Sequence, residues 1–221
     1  MSKDNPQARR SDGGARMAKV KCPLDGKGLL LLLLYVPGYR GERCEPIHGR
    51  TRLTKMVFLF EKEVWPKFKF DRLMPAEALP LFAPYYFGPF SPSIYTDIDF
   101  LVNLQFISAD SCPTEQISEE EALEHQWWLR QAEPPPAEPM PFASEVFRLT
   151  AVGKAFAADR LMPGLSQAQQ QALSSLKARC TSVRLRELLR YVYSRHPEYA
   201  VSSLIREDIL SGKQEDSRVS E

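Results

Sequence analysis

A chain of 221 residues, 43% hydrophobic and 26% charged, can bury a core and has the charge of an ordinary folded protein, which argues against a disordered or fibrous class. Its four cysteines, Cys22, Cys44, Cys112 and Cys180, lie far apart without a C-x-x-C pair, so neither a zinc framework nor a dense disulfide scaffold is indicated, and reduced thiols in a cytoplasm are expected. The net charge of +1 hides an uneven spread: residues 1–72 hold 16 Lys/Arg against 8 Asp/Glu, residues 73–145 hold 1 against 12, and residues 146–221 hold 12 against 8.

Residues 1–26 are polar, carry Gly13-Gly14 and show no apolar period, as a mobile basic tail would. The run Leu29 to Leu34 is hydrophobic all round, which predicts a fully buried first helix ended by Pro37-Gly38. It is too short to span a membrane, which takes about 20 apolar residues, and no small-residue cleavage site follows it. The connector Gly38 to Gly49 is charged and expected to be exposed. A second helix is predicted over Thr51 to Trp65, with Leu53, Met56, Val57, Phe60 and Val64 inward, Arg52, Lys55 and Lys62 on its other side, and Pro66 as the stop. Pro66 to Pro84 reads as loops with a short helix near Pro75 to Leu79.

An aromatic turn containing Gly88-Pro89 leads into the most strongly patterned helix, residues 92–104. Ser91 suits its N-cap and Pro92 its first position, where the missing N–H costs nothing. Ile94, Ile98, Leu101, Val102 and Leu104 form its apolar stripe. Residues 108–141 read as an acidic, proline-rich insertion, with a short helix from Ser118 to Arg130 capped by Ser118 and Glu121, and an extended run from Pro134 to Pro141. Phe147 to Leu161 reads as a strand, a Thr-initiated turn and a helix. Residues 166–210 add two or three helices, one marked by Leu185, Leu188, Leu189 and Val192 with Pro197 as terminator, and residues 211–221 are a polar tail.

The quoted segments GRTRLTKMVFLFEKE (49–63), PYYFGPFSPSIYTDI (84–98), RLTAVGKAFA (148–157) and LLRYVYSRHPEY (188–199) resemble a YwgA-like family of bacterial proteins and, more distantly, the Panacea-type antitoxin domain. The passage from a third helix through a connector to F-x-L-T-x-x-G-K, Phe147 to Lys154, is similar to the wing and closing helix of winged-helix domains. The resemblance implies a mainly α fold with a small β wing (α+β): a winged-helix domain over 27–161, an insertion over 108–141 and a C-terminal helical extension over 166–210. It implies a regulatory or interaction module with no catalytic set to transfer.

The residues leave two functions open. Tyr86, Phe90 and Tyr95, with polar-tipped Tyr86 and Tyr95 exposed, and Asp97 and Asp99 form a candidate surface for a partner protein. The alternative is a DNA-binding regulator that contacts phosphates through Arg50, Arg52 and Lys55. Against it, no Lys or Arg occurs from Leu73 to Leu129, and a third helix bearing Asp97 and Asp99 would be repelled by a DNA backbone. Enzyme signatures are weak. Asp97 and Asp99 point roughly 200° apart on a helix, His48, His125 and His196 are solitary, Cys44-x-x-x-His48 lacks a second pair, and G-x-S-x-G, Walker-type and G-x-G-x-x-G motifs are absent. No cofactor, metal or membrane is expected, and oligomer formation is left open.

Overall fold

The computed structural model describes residues 24–112 and 144–211. The expected tail up to Cys22, the 118–130 helix, the 134–141 run and most of the C-terminal tail lie outside the described residues. Within the stretch expected to be a tail, Leu24 is buried and donates its N–H to Leu73 O.

Helix α1 (Gly26–Tyr35) starts at Asp25, whose carboxylate accepts from the Gly28 N–H at 2.8 Å. Leu29 to Leu34 are at most 2% exposed, so α1 is enclosed on every side as its unbroken leucine run predicts. Each fully buried leucine contributes about 1.5–3 kcal/mol relative to an exposed one.

Burial of the helix end leaves carbonyls away from water, and these need donors. Lys177, fully buried, extends its ammonium group to Leu34 O, Val36 O and Glu45 O at 2.9, 3.0 and 2.8 Å. The Glu45 carboxylate in turn accepts backbone N–H groups from Gly38, Arg40 and Glu42 at 3.0, 3.1 and 2.9 Å. The connector expected to be exposed is therefore wrapped around a buried acid. It ends in buried Ile47, which opens the short strand β1 (Ile47–His48).

Helix α2 (Arg50–Leu59) continues into a wider π-type turn over Phe60–Val64, and residues 53–60 are buried without interruption. It is not the one-faced helix that the periodicity predicts, and Lys55 is 2% exposed rather than solvated. A hairpin of β2 (Ala83–Tyr85) and β3 (Gly88–Phe90) precedes α3 (Pro92–Asn103). Gly88, at φ +84°, is required twice, by the backbone angle and by the Tyr193 ring, which would lie 2.5 Å from an added Cβ.

The expected insertion does not begin at residue 108, because β4 (Ile107–Cys112) occupies that stretch and pairs antiparallel with β5 (Ser144–Leu149) from Ile107↔Leu149 to Cys112↔Ser144. β1 adds to the other edge of β5, giving the order β1-β5-β4. Thr150 then caps α4 (Ala151–Phe156), which runs on through a π-type turn over Ala157–Leu161. Gly153 has no room for a side chain, since a Cβ would sit 2.1 Å from Phe106 O, and this explains the glycine three residues after the capping threonine.

Helices α5 (Gln167–Thr181), α6 (Leu185–Arg195) and α7 (Arg206–Ser211) complete the fold. α5 opens with a reciprocal capping box between Ser166 and Gln169. The predicted α6 stripe of Leu185, Leu188, Leu189 and Val192 is buried. These helices share one hydrophobic core with α1, α2, α3 and the sheet, so the stretch read as an extension is part of the main body. The architecture is mainly helical with a small antiparallel sheet.

The Lys177–Glu45 knot yields two expected outcomes. Lys177→Met leaves three carbonyls without their donor, and urea unfolding should show a loss of about 1–3 kcal/mol, the usual penalty for a buried polar group left unsatisfied. Burial raises the Glu45 pKa, but the three backbone donors and the Lys177 charge outweigh it and hold the acid below its usual 4.5. The stability so gained is complete above 4.5 and lost as pH falls through the lower folded-state value. Glu45→Gln should thus be less stable than wild type at neutral pH, with the gap closing on acidification below 4.5. A gap that stays constant in acid would contradict this assignment.

Candidate partner interface

Helix α3 turns Ile94, Ile98 and Leu101 into the core and leaves Ser93, Thr96, Phe100 and Asn103 on its outer side. Leu104, assigned to the inner stripe by spacing, is instead 51% exposed. The helix ends at Asn103, Gln105 takes a left-handed φ of +58°, and the chain leaves the helical path before the spacing can apply. Thr150 Oγ1 donates to Gln105 O at 2.6 Å, which brings the first turn of α4 and its exposed Val152 to this end of α3. The outer face therefore carries Phe100 and Leu104 among the polar Ser93, Thr96 and Asn103, with the exposed Asp99 at its border.

The two acids expected to give α3 a negative face are engaged within the fold. Asp97 pairs with Lys27 of α1 at 2.6 Å, and Asp99 pairs with Arg50 of α2 at 2.8 Å. Their opposed directions on the helix, anticipated from a two-residue spacing, lead them to different neighbours. Lys27 also lies 5.2 Å from the centre of the Phe100 ring, a cation–π contact, and its Asp97 partner raises its pKa above the usual lysine value. Reversing Asp97 or Asp99 would thus probe helix packing before it probed any partner.

Arg50, Arg52 and Lys55 are not a free basic face either. Arg50 holds Glu145 of β5 through two guanidinium nitrogens while it pairs with Asp99, and it lies over the Tyr95 and Phe147 rings at 5.5 and 5.8 Å. Burial opposes its charge, but the two carboxylates prevail and hold its pKa above the ordinary arginine value. Arg52 donates to Cys180 O and, at 2.8 Å, to Val183 O, satisfying carbonyls at the end of α5. Lys55 donates to Pro89 O at 3.0 Å in the interior, fastening the β2–β3 hairpin to α2. Lys62, expected on the same solvated side, pairs with Glu61 at 2.7 Å and sits 5.0 Å from the Tyr199 ring centre.

The aromatic turn is self-packed. Tyr85 stacks on Phe90 at 4.9 Å and meets Tyr86 at 4.7 Å, while Phe90 meets Tyr95 edge-on at 5.2 Å. Tyr86 is exposed, at 37%, and its carbonyl accepts the Leu204 N–H, placing it beside exposed Leu204. Phe90 and Tyr95 are half-buried, so Tyr95 is not the open ring that its polar tip predicts. Of the sequence-predicted partner residues, Tyr86 and Asp99 remain outward, Asp99 while paired with Arg50, and Asp97 is half-buried against Lys27.

Phe100 and Lys27 were missed in the sequence. An aromatic residue lying off the Ile94–Ile98–Leu101 stripe was the available signal for Phe100, whereas nothing local to Lys27 marks its pairing with α3. Cys44 and His48 are half-buried and exposed respectively, and burial followed by the Arg52 charge lowers the His48 pKa. Among the described residues no group of three or more His, Cys, Asp or Glu side chains could hold a metal ion, and no helix is long and apolar enough to cross a membrane. No protein-family model, curated protein or solved structure matches the chain.

Proposed function

We propose that this chain is a non-enzymatic regulatory or adaptor protein built on a winged-helix domain, and that it holds a partner protein through the outer face of α3. The fold reading is supported by the order α1, β1, α2, β2, β3, α3, β4, β5 and by the sheet order β1-β5-β4, in which a third helix is followed by an antiparallel strand pair such as a wing would need. The resemblance to the Panacea-type antitoxin domain points to a toxin–antitoxin or phage-defence setting.

The observation that carries the interaction reading is the exposure of Phe100 and Leu104, at 46% and 51%, on a face whose two neighbouring acids are each tied to a cation of another helix. Aromatic and aliphatic anchors surrounded by uncharged hydrogen-bonding groups suit an interface core, where charges are depleted. The fitting partner therefore presents an apolar surface with few charges at its centre. The DNA-binding alternative draws no support from Arg50, Arg52 and Lys55, whose donors serve carboxylates and carbonyls inside the fold.

The double variant Phe100→Ser, Leu104→Ser should retain the wild-type thermal midpoint within about four degrees, because both side chains are about half exposed. A polypeptide that co-purifies with the wild type from its native cell, identified and then purified, should bind the wild type and lose about tenfold or more in affinity for the variant. Equal binding by the two proteins would remove α3 as the interface. A salt-sensitive shift of labelled duplex by the wild type, retained by Phe100→Ser, Leu104→Ser, would instead establish the DNA regulator.

A further inference from the structure

Between the loop that follows α2 and the first turns of α5 lies an open cleft of about 460 Å³, lined by Lys67, Phe68, Lys69, Arg72, Ser166 and Gln169 among others. Past Lys67, Phe68 and Ala168 it continues into a second cleft of similar volume along α5, reaching Gln171, Ser175 and Arg179. From Ala168 to Arg179 this groove follows α5 for about 16 Å at the helical rise per residue. The loop is held against α5 by Gln169, whose buried amide donates to Phe68 O and Lys69 O at 3.1 and 3.2 Å.

The chemistry of the groove differs from one end to the other. Lys67, Lys69 and Arg72 are exposed and make no ion pair among the described residues, whereas Lys27, Arg50, Lys62, Arg148 and Arg179 are each matched with a carboxylate. Phe68, 38% exposed, lies where the two clefts join, and Val64 and Ala172 contribute apolar floor beyond it. The exposed Gln171 and Ser175 offer donors and acceptors there suited to a peptide main chain. At the far end Glu63 accepts from Arg179 at 3.2 Å and from the Tyr191 hydroxyl at 2.6 Å, so that end is not a cationic track.

We propose that this groove binds an acidic segment of a partner protein, with carboxylates at the Lys67, Lys69 and Arg72 end and apolar side chains over Phe68, Val64 and Ala172. Charge complementarity selects the occupant: unmatched cations at one end attract carboxylates. A nucleic-acid strand is the poorer match because its phosphates recur at every nucleotide and would meet Glu63 further along. The groove shares no residue with the outer face of α3, so it is a second contact surface whose fate is independent of the first.

The test uses the full chain and fluorescence anisotropy with labelled synthetic probes: a peptide with a run of glutamates followed by leucines, its glutamine-for-glutamate analogue, and a single-stranded oligonucleotide of similar length. The acidic peptide should bind, and the glutamine analogue about tenfold more weakly or not at all. Lys67→Gln, Lys69→Gln, Arg72→Gln should cost about tenfold or more, and Ala168→Trp, which fills the groove at constant charge, should do the same, both at unchanged unfolding midpoints. Phe100→Ser, Leu104→Ser should bind the peptide as the wild type does, so failure of this groove and failure of the α3 interface read out separately. No binding at millimolar peptide, binding indifferent to Ala168→Trp, or tighter binding of the oligonucleotide would each overturn the assignment.

Discussion

Enclosing α1 is the constraint that the rest of the molecule obeys. A helix of leucines can be covered on all sides only if its terminal carbonyls find donors without water, and Lys177 supplies three from another helix. The ammonium is then itself far from solvent, which pulls its pKa down to about 8 despite the opposing Glu45 charge. Glu45 is fixed in turn by three N–H groups of its own loop. The lysine on α5, the acid in the connector and the end of α1 thus form one unit, and α5 cannot be detached without exposing the core helix.

A similar economy governs the cations around α2. Arg50 ties α2 to α3 and to β5, Arg52 closes the end of α5, and Lys55 secures the β2–β3 hairpin. Each spans elements far apart in sequence. Such long side chains carry donors to acceptors while packing their methylene stems inside, so in this region positive charge maintains the fold. Cation count along the chain is consequently a poor guide to where an anion could bind. Pairing is the better guide, and it separates Lys67, Lys69 and Arg72, which line one cleft, from the cations around α2.

The elements of this fold were legible where periodicity or capping chemistry is local. The all-leucine helix, the stripe from Leu185 to Val192 and the Thr150-initiated turn each follow from neighbouring residues, and the structure has them. The buried lysines Lys55 and Lys177 were not legible, because their partners lie 34 to 143 residues away. One signal was present: Lys177 falls in the inward register of α5, beside Leu173, Leu176 and Cys180, where a solvated lysine would be out of place. For the candidate interface, the aromatic turn drew attention by composition, yet its rings mostly pack on one another. Phe100, a single ring off the buried stripe, carried less compositional weight and more geometric information.

Pairing of its acids changes how α3 could recognise a partner. With Asp97 and Asp99 free, the helix would repel polyanions and attract basic partners over a distance comparable to the screening length. Tied to Lys27 and to an Arg50 shared with Glu145, they project a weaker field, and recognition through this face would rest mainly on short-range packing by Phe100 and Leu104. An interface of that kind gains little from electrostatic steering and depends on apolar fit, so its affinity is expressed mainly in how slowly the complex separates. The groove beside α5 has the opposite character, since its unmatched cations act before contact. A partner carrying both an acidic segment and an apolar patch would be drawn to the groove first and held by α3 afterwards, provided its own structure spans the two surfaces.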